Sequence, residues 1–199
     1  NLEFSLQKSS GLLHWKINTF INNVKNYVYG HDDGVKVDGE GIVDTTGEFT
    51  QRHWRQANAT IRGGEAEIGY NQVGEGFSIR GFADTSRGTL DGRGNLPLQA
   101  ADRVGIDLGF RHQGWRNTLS ILHAQRQSRL AANEHFSTPG FTKLDLNLTY
   151  THPYQYSQLT WFMQVRNLLN QDIRLATSVL KETVPQPMRG VVVGVRANF

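Results

Sequence analysis

Six side chains with the chemistry of metal ligands fall in three short clusters: His31, Asp32 and Asp33 together, His53 alone, and Glu134 beside His135. Imidazole nitrogen and carboxylate oxygen suit Zn²⁺, and three or four such groups converging from separate segments would make a site. A histidine could instead cap a haem iron, for which His31, His53 and His135 are the candidates. The plain alternative is that segments rich in Gly, Asp, Glu and Thr collect these residue types because they face water. Catalysis has little to work with. Ser120 and His123 are three apart, a spacing that puts them on opposite faces of a strand. No Gly-x-Ser-x-Gly element, phosphate-cradling glycine loop or paired Cys/His spacing occurs, so no enzyme and no resident cofactor is expected.

These clusters must be positioned by extended chain. The closing stretch Gly-Val-Val-Val-Gly-Val-Arg-Ala-Asn-Phe, residues 190–199, puts Val191, Val193, Val195, Ala197 and Phe199 on one face of a strand. Val192, Gly194, Arg196 and Asn198 fall on the other. One face is wholly apolar and the other is wet, the alternation of a strand with lipid on one side and a polar lumen on the other. The same period recurs at Leu13, Trp15, Ile17, Thr19 and Ile21, at Val104, Ile106, Leu108 and Phe110, at Leu144, Leu146, Leu148 and Tyr150, and at Leu159, Trp161, Met163 and Val165. Between Trp54 and Tyr70 the apolar parity changes from Ala57, Ala59 and Ile61 to Ala66, Ile68 and Tyr70, which predicts a β-bulge at Gly63-Gly64.

Composition agrees with a sheet protein. Of 199 residues, 38% are hydrophobic, 21 are glycine and none is cysteine, and the formal charge is +3. Mean hydropathy is −0.47. No apolar run reaches the ~18 residues of a membrane helix, while membrane strands need only ~9–11 and are half polar. No basic block stands out, so nucleic acid is not an expected partner. Asn1 is not preceded by a signal peptide, which predicts a processed chain or a piece of a longer one.

Short and long connections alternate. Residues 9–11, 73–76, 112–114 and 152–157 are short, whereas those near 30–53, 86–100, 127–142 and 170–188 are long, as in an up-and-down membrane barrel. Pro97, Pro139, Pro153, Pro185 and Pro187 all fall in the predicted connections, as paired strands require. About nine strands are expected. Bacterial single-chain barrels have an even number, so the chain reads as part of a larger wall. Arg62, Arg80, Arg103, Asp107, Asp145 and Arg196 are expected to face the lumen, since charge on the lipid face costs about 2–4 kcal/mol at the midplane. Trp15, Tyr70, Phe110, Trp115, Tyr150, Tyr154, Tyr156, Trp161 and Phe199 gather toward the short-turn ends as an interfacial girdle. A soluble lipid-binding barrel would invert this pattern, with the apolar face inward.

The run Gln-Val-Arg-Asn-Leu-Leu-Asn at 164–170, the loop ending Pro-Gln-Pro-Met-Arg-Gly at 185–190, and the terminal Phe199 together resemble the closing segment of TonB-dependent outer-membrane receptors. The strand from Trp15 to Tyr29 and the segment from Leu98 to Arg103 are similar to internal strands of that family. The resemblance implies an all-β fold: a transmembrane antiparallel up-and-down β-barrel, with residues 1–199 as the C-terminal part of a 22-stranded barrel. It further implies location in the outer membrane of a Gram-negative cell, contact with membrane lipid and with the receptor's own plug domain, and coupling to the TonB complex through a region ahead of this chain. The cargo expected is a scarce metal, zinc first, held by His31, Asp32, Asp33, His53, Glu134 and His135, with haem or siderophore iron as alternatives. A small outer-membrane barrel acting as hydrolase or adhesin is the remaining alternative.

Overall fold

A computed structural model describes residues 1–154 and 157–199. Within them a single antiparallel sheet runs in chain order: β1 (Leu2–Lys8), β2 (Leu13–Val37), β3 (Phe49–Tyr70), β4 (Gly76–Leu90), β6 (Arg103–His112), β7 (Trp115–Ala124), β8 (Phe141–Pro153), β9 (Gln158–Arg166) and β10 (Gly190–Asn198). A two-residue strand, β5 (Gly94–Asn95), pairs only with β4. The sheet is therefore the expected set of nine plus one short addition, and it is open, with β1 and β10 at its two edges. It is part of a wall.

Directly opposed residues of an antiparallel pair point to the same face, so the register carries each face across the sheet. One row reads Leu13, Tyr70, Ile79, Leu108, Leu119, Leu146, Val165 and Val191. Most of this row is exposed, as are Val193, Val195 and Phe199. A soluble domain does not leave an apolar face of this breadth uncovered. The opposite face carries the charge. Lys16, Glu65, Glu67, Arg80, Asp84, Arg103, Asp107, Lys143, Asp145 and Arg196 all share it by register.

That polar face also holds the packed cores. Tyr29, Ala59, Leu90 and Leu96 cluster with Tyr27, Ala57 and Ile61, and a second cluster joins Ala124, Phe141 and Ile173 with Ala101 and Leu122. Both lie toward the long-loop end, where Leu96 and Ile173 arrive from loops folded back over the sheet. The polar face is the inside, covered by its own loops, and the apolar face is left for lipid.

Three times on the inner face a phenylalanine stands directly opposite a glycine: Phe20 with Gly63, Phe82 with Gly105 and Phe162 with Gly194. A Cβ on those glycines would lie 2.8, 2.4 and 2.4 Å from the partner ring. The ring lies over the missing side chain and covers backbone that a larger residue would displace. This accounts for aromatic residues on a wall that is otherwise polar.

Several expectations are corrected. The register is continuous through Gly63 and Gly64, so there is no bulge there; the shifts fall in β2, between Val24 and Tyr27 and between Asp32 and Lys36. Ala57, Ala59 and Ile61 change face because they pack inward on Tyr29, Leu90 and Leu96. Arg62 accordingly lies on the outer face, opposite Ile21 and Arg87. The segment expected as a loop near 30–53 is mostly hairpin, because β2 and β3 keep pairing far past the apolar band, and β4 likewise continues to Leu90. Beyond lipid both faces are wet, so hydrophobic alternation stops while backbone pairing continues. Pro153 is the last residue of β8. In the girdle, Trp115 stacks on Tyr150 at 4.8 Å and Phe77 on Phe110 at 4.9 Å, all beside short turns. Tyr156 lies outside the described residues.

Candidate functional site

The long-loop end is built by the polar residues that terminate each strand. Asn167, the first asparagine of the Asn-Leu-Leu-Asn run, is only 1% exposed and takes a left-handed φ of 50°. Its backbone N–H donates to Asp145 Oδ1 at 2.8 Å, its Nδ2 donates to the Gln171 carbonyl at 2.9 Å, and its Oδ1 accepts from the Gln171 N–H at 3.1 Å. Asn170, with φ 55°, accepts from the Arg189 N–H at 3.0 Å just before β10. Asparagine is among the few side chains that tolerate this backbone and bond locally. The motif thus stops β9, turns the chain inward and fixes where β10 begins.

Loops are cross-linked in the same way. Gln99 donates to the carbonyls of Gly88 and Leu96 and accepts from the Gly88 N–H, while Gln127 donates to the Gln99 and Ala100 carbonyls. Arg129 donates to Asp102 and to the Ala100 carbonyl. None of Gln99, Gln127, Arg129 or Lys181 was singled out from the sequence, since isolated polar residues in a loop carry no periodic signal.

The six sequence candidates separate into different environments. His31 and His53 are directly opposed on β2 and β3, past the apolar band. His53 Nε2 lies 3.0 Å from Asp33 Oδ2, and Asp33 Oδ1 accepts the Val35 N–H at 3.0 Å. The Val35 amide, aided by His53, holds the Asp33 carboxyl below the usual carboxylate range. Asp32 is taken by Arg52, which donates from Nε at 2.7 Å and Nη2 at 3.2 Å; this bond raises the arginine's own pKa further. Glu134 forms a buried pair with Lys181 on another loop, and His135 is exposed. Among the described residues no three or more His, Asp or Glu side chains converge as a metal cluster. The geometry joins Asp33 to His53 and sets Glu134 apart.

A cavity of ≈ 490 Å³ opens between these groups, lined by Tyr27, Tyr29, Arg52, Trp54, Asn133 and Lys181 among others. Along the inner wall the charges neutralise one another: Arg80 bridges Glu67 at 2.7 Å and Asp107 at 2.9 Å, Arg103 meets Asp84 at 3.0 Å, and Lys143 meets Asp145 at 2.7 Å. The arginine also stacks on Phe82 at 4.7 Å. Arg80, Arg103 and Lys143 are thus each held by a carboxylate of the same face.

The family model for the β-barrel of TonB-dependent receptors matches residues 1–168. The chain belongs to that family. Its wall also superposes on a solved transporter, the copper transporter OprC, with a TM-score of 0.78 at 19% identity, over 98% of this chain and 31% of that one. At that identity the likeness is one of fold. This TonB-dependent receptor chain spans about a third of the transporter's length. The alternation of short turns and long loops, the inward cores and the outward apolar face are all properties of the receptor barrel.

Proposed function

We propose that the chain forms the C-terminal wall of an outer-membrane receptor that takes up a scarce metal nutrient, zinc first, captured at the long-loop end and passed inward past a plug under TonB coupling. The Asp33–His53 contact carries the metal reading: an imidazole and a carboxylate in contact, with His31 opposite, at the rim of the wall. These two donors make half a tetrahedral site, and the remaining ligands would come from the rest of the receptor. The copper transporter that shares the fold raises copper as the competing cargo. Soft thiolate and thioether ligands select Cu(I), and this chain has no cysteine and two methionines. One of them, Met163, lies on the lipid face opposite Val193. Nitrogen and oxygen donors are what this part of the receptor offers, which suits Zn²⁺ and disfavours Cu(I).

The test is calorimetric titration of the full-length receptor in detergent with Zn²⁺, for the native protein and for His53→Ala and Asp33→Asn. Roughly tenfold weaker zinc binding in each variant is expected, about the worth of one ligand or its partner. Unchanged zinc affinity removes these residues from the cargo site. Tighter binding of Cu(I) or haem than of Zn²⁺ by the native receptor reassigns the cargo; tighter Cu²⁺ binding alone does not, since Cu²⁺ outbinds Zn²⁺ at most nitrogen and oxygen sites.

A further inference from the structure

On the outer face, Arg62 of β3 and Arg87 of β4 are directly opposed, both exposed. Like charges directly opposed across a strand pair repel. Arg87 Nη2 lies 3.8 Å from Asp102 Oδ2, but that carboxylate is already engaged by the Thr85 hydroxyl at 2.7 Å and by Arg129 at 3.2 and 3.4 Å. Among the described residues Arg62 has no acidic partner at all.

Their height on the wall is that of the end of the apolar band. Arg62 is eight residues from the girdle residue Tyr70 along β3, and Arg87 is ten from Phe77 along β4. At ~3.3 Å per residue and a tilt near 40°, these are roughly 20 and 25 Å above the girdle, the height of the apolar band. Directly below them on the outer face are Gly64 and Thr85, and below those Ala66, Ile68, Ala83 and Ile79; above them are Thr60 and Thr89, so the two arginines lie just past the end of the apolar band. Both strands are interior to the sheet, so the pair is not a feature of an edge.

We infer that Arg62 and Arg87 form a binding site for a phosphate-bearing lipid headgroup of the outer leaflet. A phosphate between the two guanidiniums relieves their repulsion and accepts forked hydrogen bonds from each. Thr89, on the same face two residues beyond Arg87, supplies a hydroxyl donor to the same headgroup. The inference rests on the barrel geometry of the family and is independent of the metal cargo.

The experiment uses the full-length receptor in phosphatidylcholine nanodiscs doped with a glucosamine-disaccharide lipid carrying two phosphates, or with the same lipid dephosphorylated. Retained lipid is quantified by native mass spectrometry. The native receptor is expected to retain the phosphorylated form selectively, Arg62→Gln/Arg87→Gln to retain roughly thirty-fold less, and Arg62→Lys/Arg87→Lys to keep most of it, given the worth of two cationic side chains at an anionic surface. The strand signal in far-UV circular dichroism and the heat-modifiable gel mobility of the glutamine variant check that the barrel is intact and should match the native receptor. Equal retention of both lipids by the native receptor, or equal retention by native and glutamine variants, overturns the proposal. Inorganic phosphate binding that depends on the two arginines with no preference between the lipids overturns the lipid assignment.

Discussion

Lys181 Nζ meets Glu134 Oε1 at 2.5 Å with the two side chains only 5% and 7% exposed, which joins loop 167–189 to loop 125–140. Glu134 also accepts the N–H groups of Leu98 and Ala131, so a third loop is held by the same carboxylate. Removing one member of a buried pair leaves a charge without compensation and costs about 3–5 kcal/mol. Lys181→Met should therefore release these loops locally while the wall stays folded. Hydrogen exchange is expected to rise at Leu98 and Ala131 and to remain slow in β6 and β7; uniform protection would contradict the latch.

Asn167 cannot be replaced conservatively. Alanine loses the side-chain bonds to Gln171 and also resists the left-handed backbone, for a combined cost of roughly 2–4 kcal/mol. Asn167→Gly keeps the backbone but not the bonds and should fall between alanine and native. Urea midpoints of the refolded receptor in detergent test that order, and an alanine variant as stable as native would refute it.

The phenylalanine–glycine pairs of the inner face predict a size rule. Gly105→Val places methyl groups where the Phe82 ring lies, and the ring also supports Arg80. A loss of about 1–3 kcal/mol is expected from overpacking. The double variant Gly105→Val/Phe82→Ala should recover part of it, because the volume is restored within the pair. Additive losses in that cycle would sink the rule.

Asp33 gives the outer hairpin a dependence on acid. Its folded pKa is depressed below the ordinary 3.8, chiefly by the Val35 amide. A depressed carboxylate favours the ordered turn at pH values above the unfolded pKa, and that contribution disappears as pH falls through the lower folded value. The Val35 amide resonance should hold its position through the range in which an ordinary aspartate titrates and move only at lower pH. In Asp33→Asn it should not titrate.

What the sequence carried, and what it did not, divides at the edge of the hydrocarbon. Where a strand crosses lipid, one face must be apolar and the alternation is legible, as at Val104 to Phe110 and Val191 to Phe199. Past Tyr29 no solvent difference separates the two faces, so β2 continues to Val37 through residues that look like loop. The cost of charge in lipid points Arg62 inward only if its strand is still in lipid at that point, whereas it lies where the apolar band ends. The ligand clusters were visible as residue types, but their partners Arg52 and Lys181 were not. Pairing across loops leaves no period in the chain.

The long β2–β3 hairpin has a mechanical consequence. From Ile21 to Val37 its contour is roughly 50 Å at ~3.3 Å per residue, and its ladder breaks register at two places, the lower beside Asn26 with φ 54°. A paired ribbon of that length resists bending along its rungs and yields where a rung is missing, so Asn26 is the pivot. A load on the tip would therefore be taken up at that missing rung, which the packed pair Tyr29 and Ala59 straddles on the inner face.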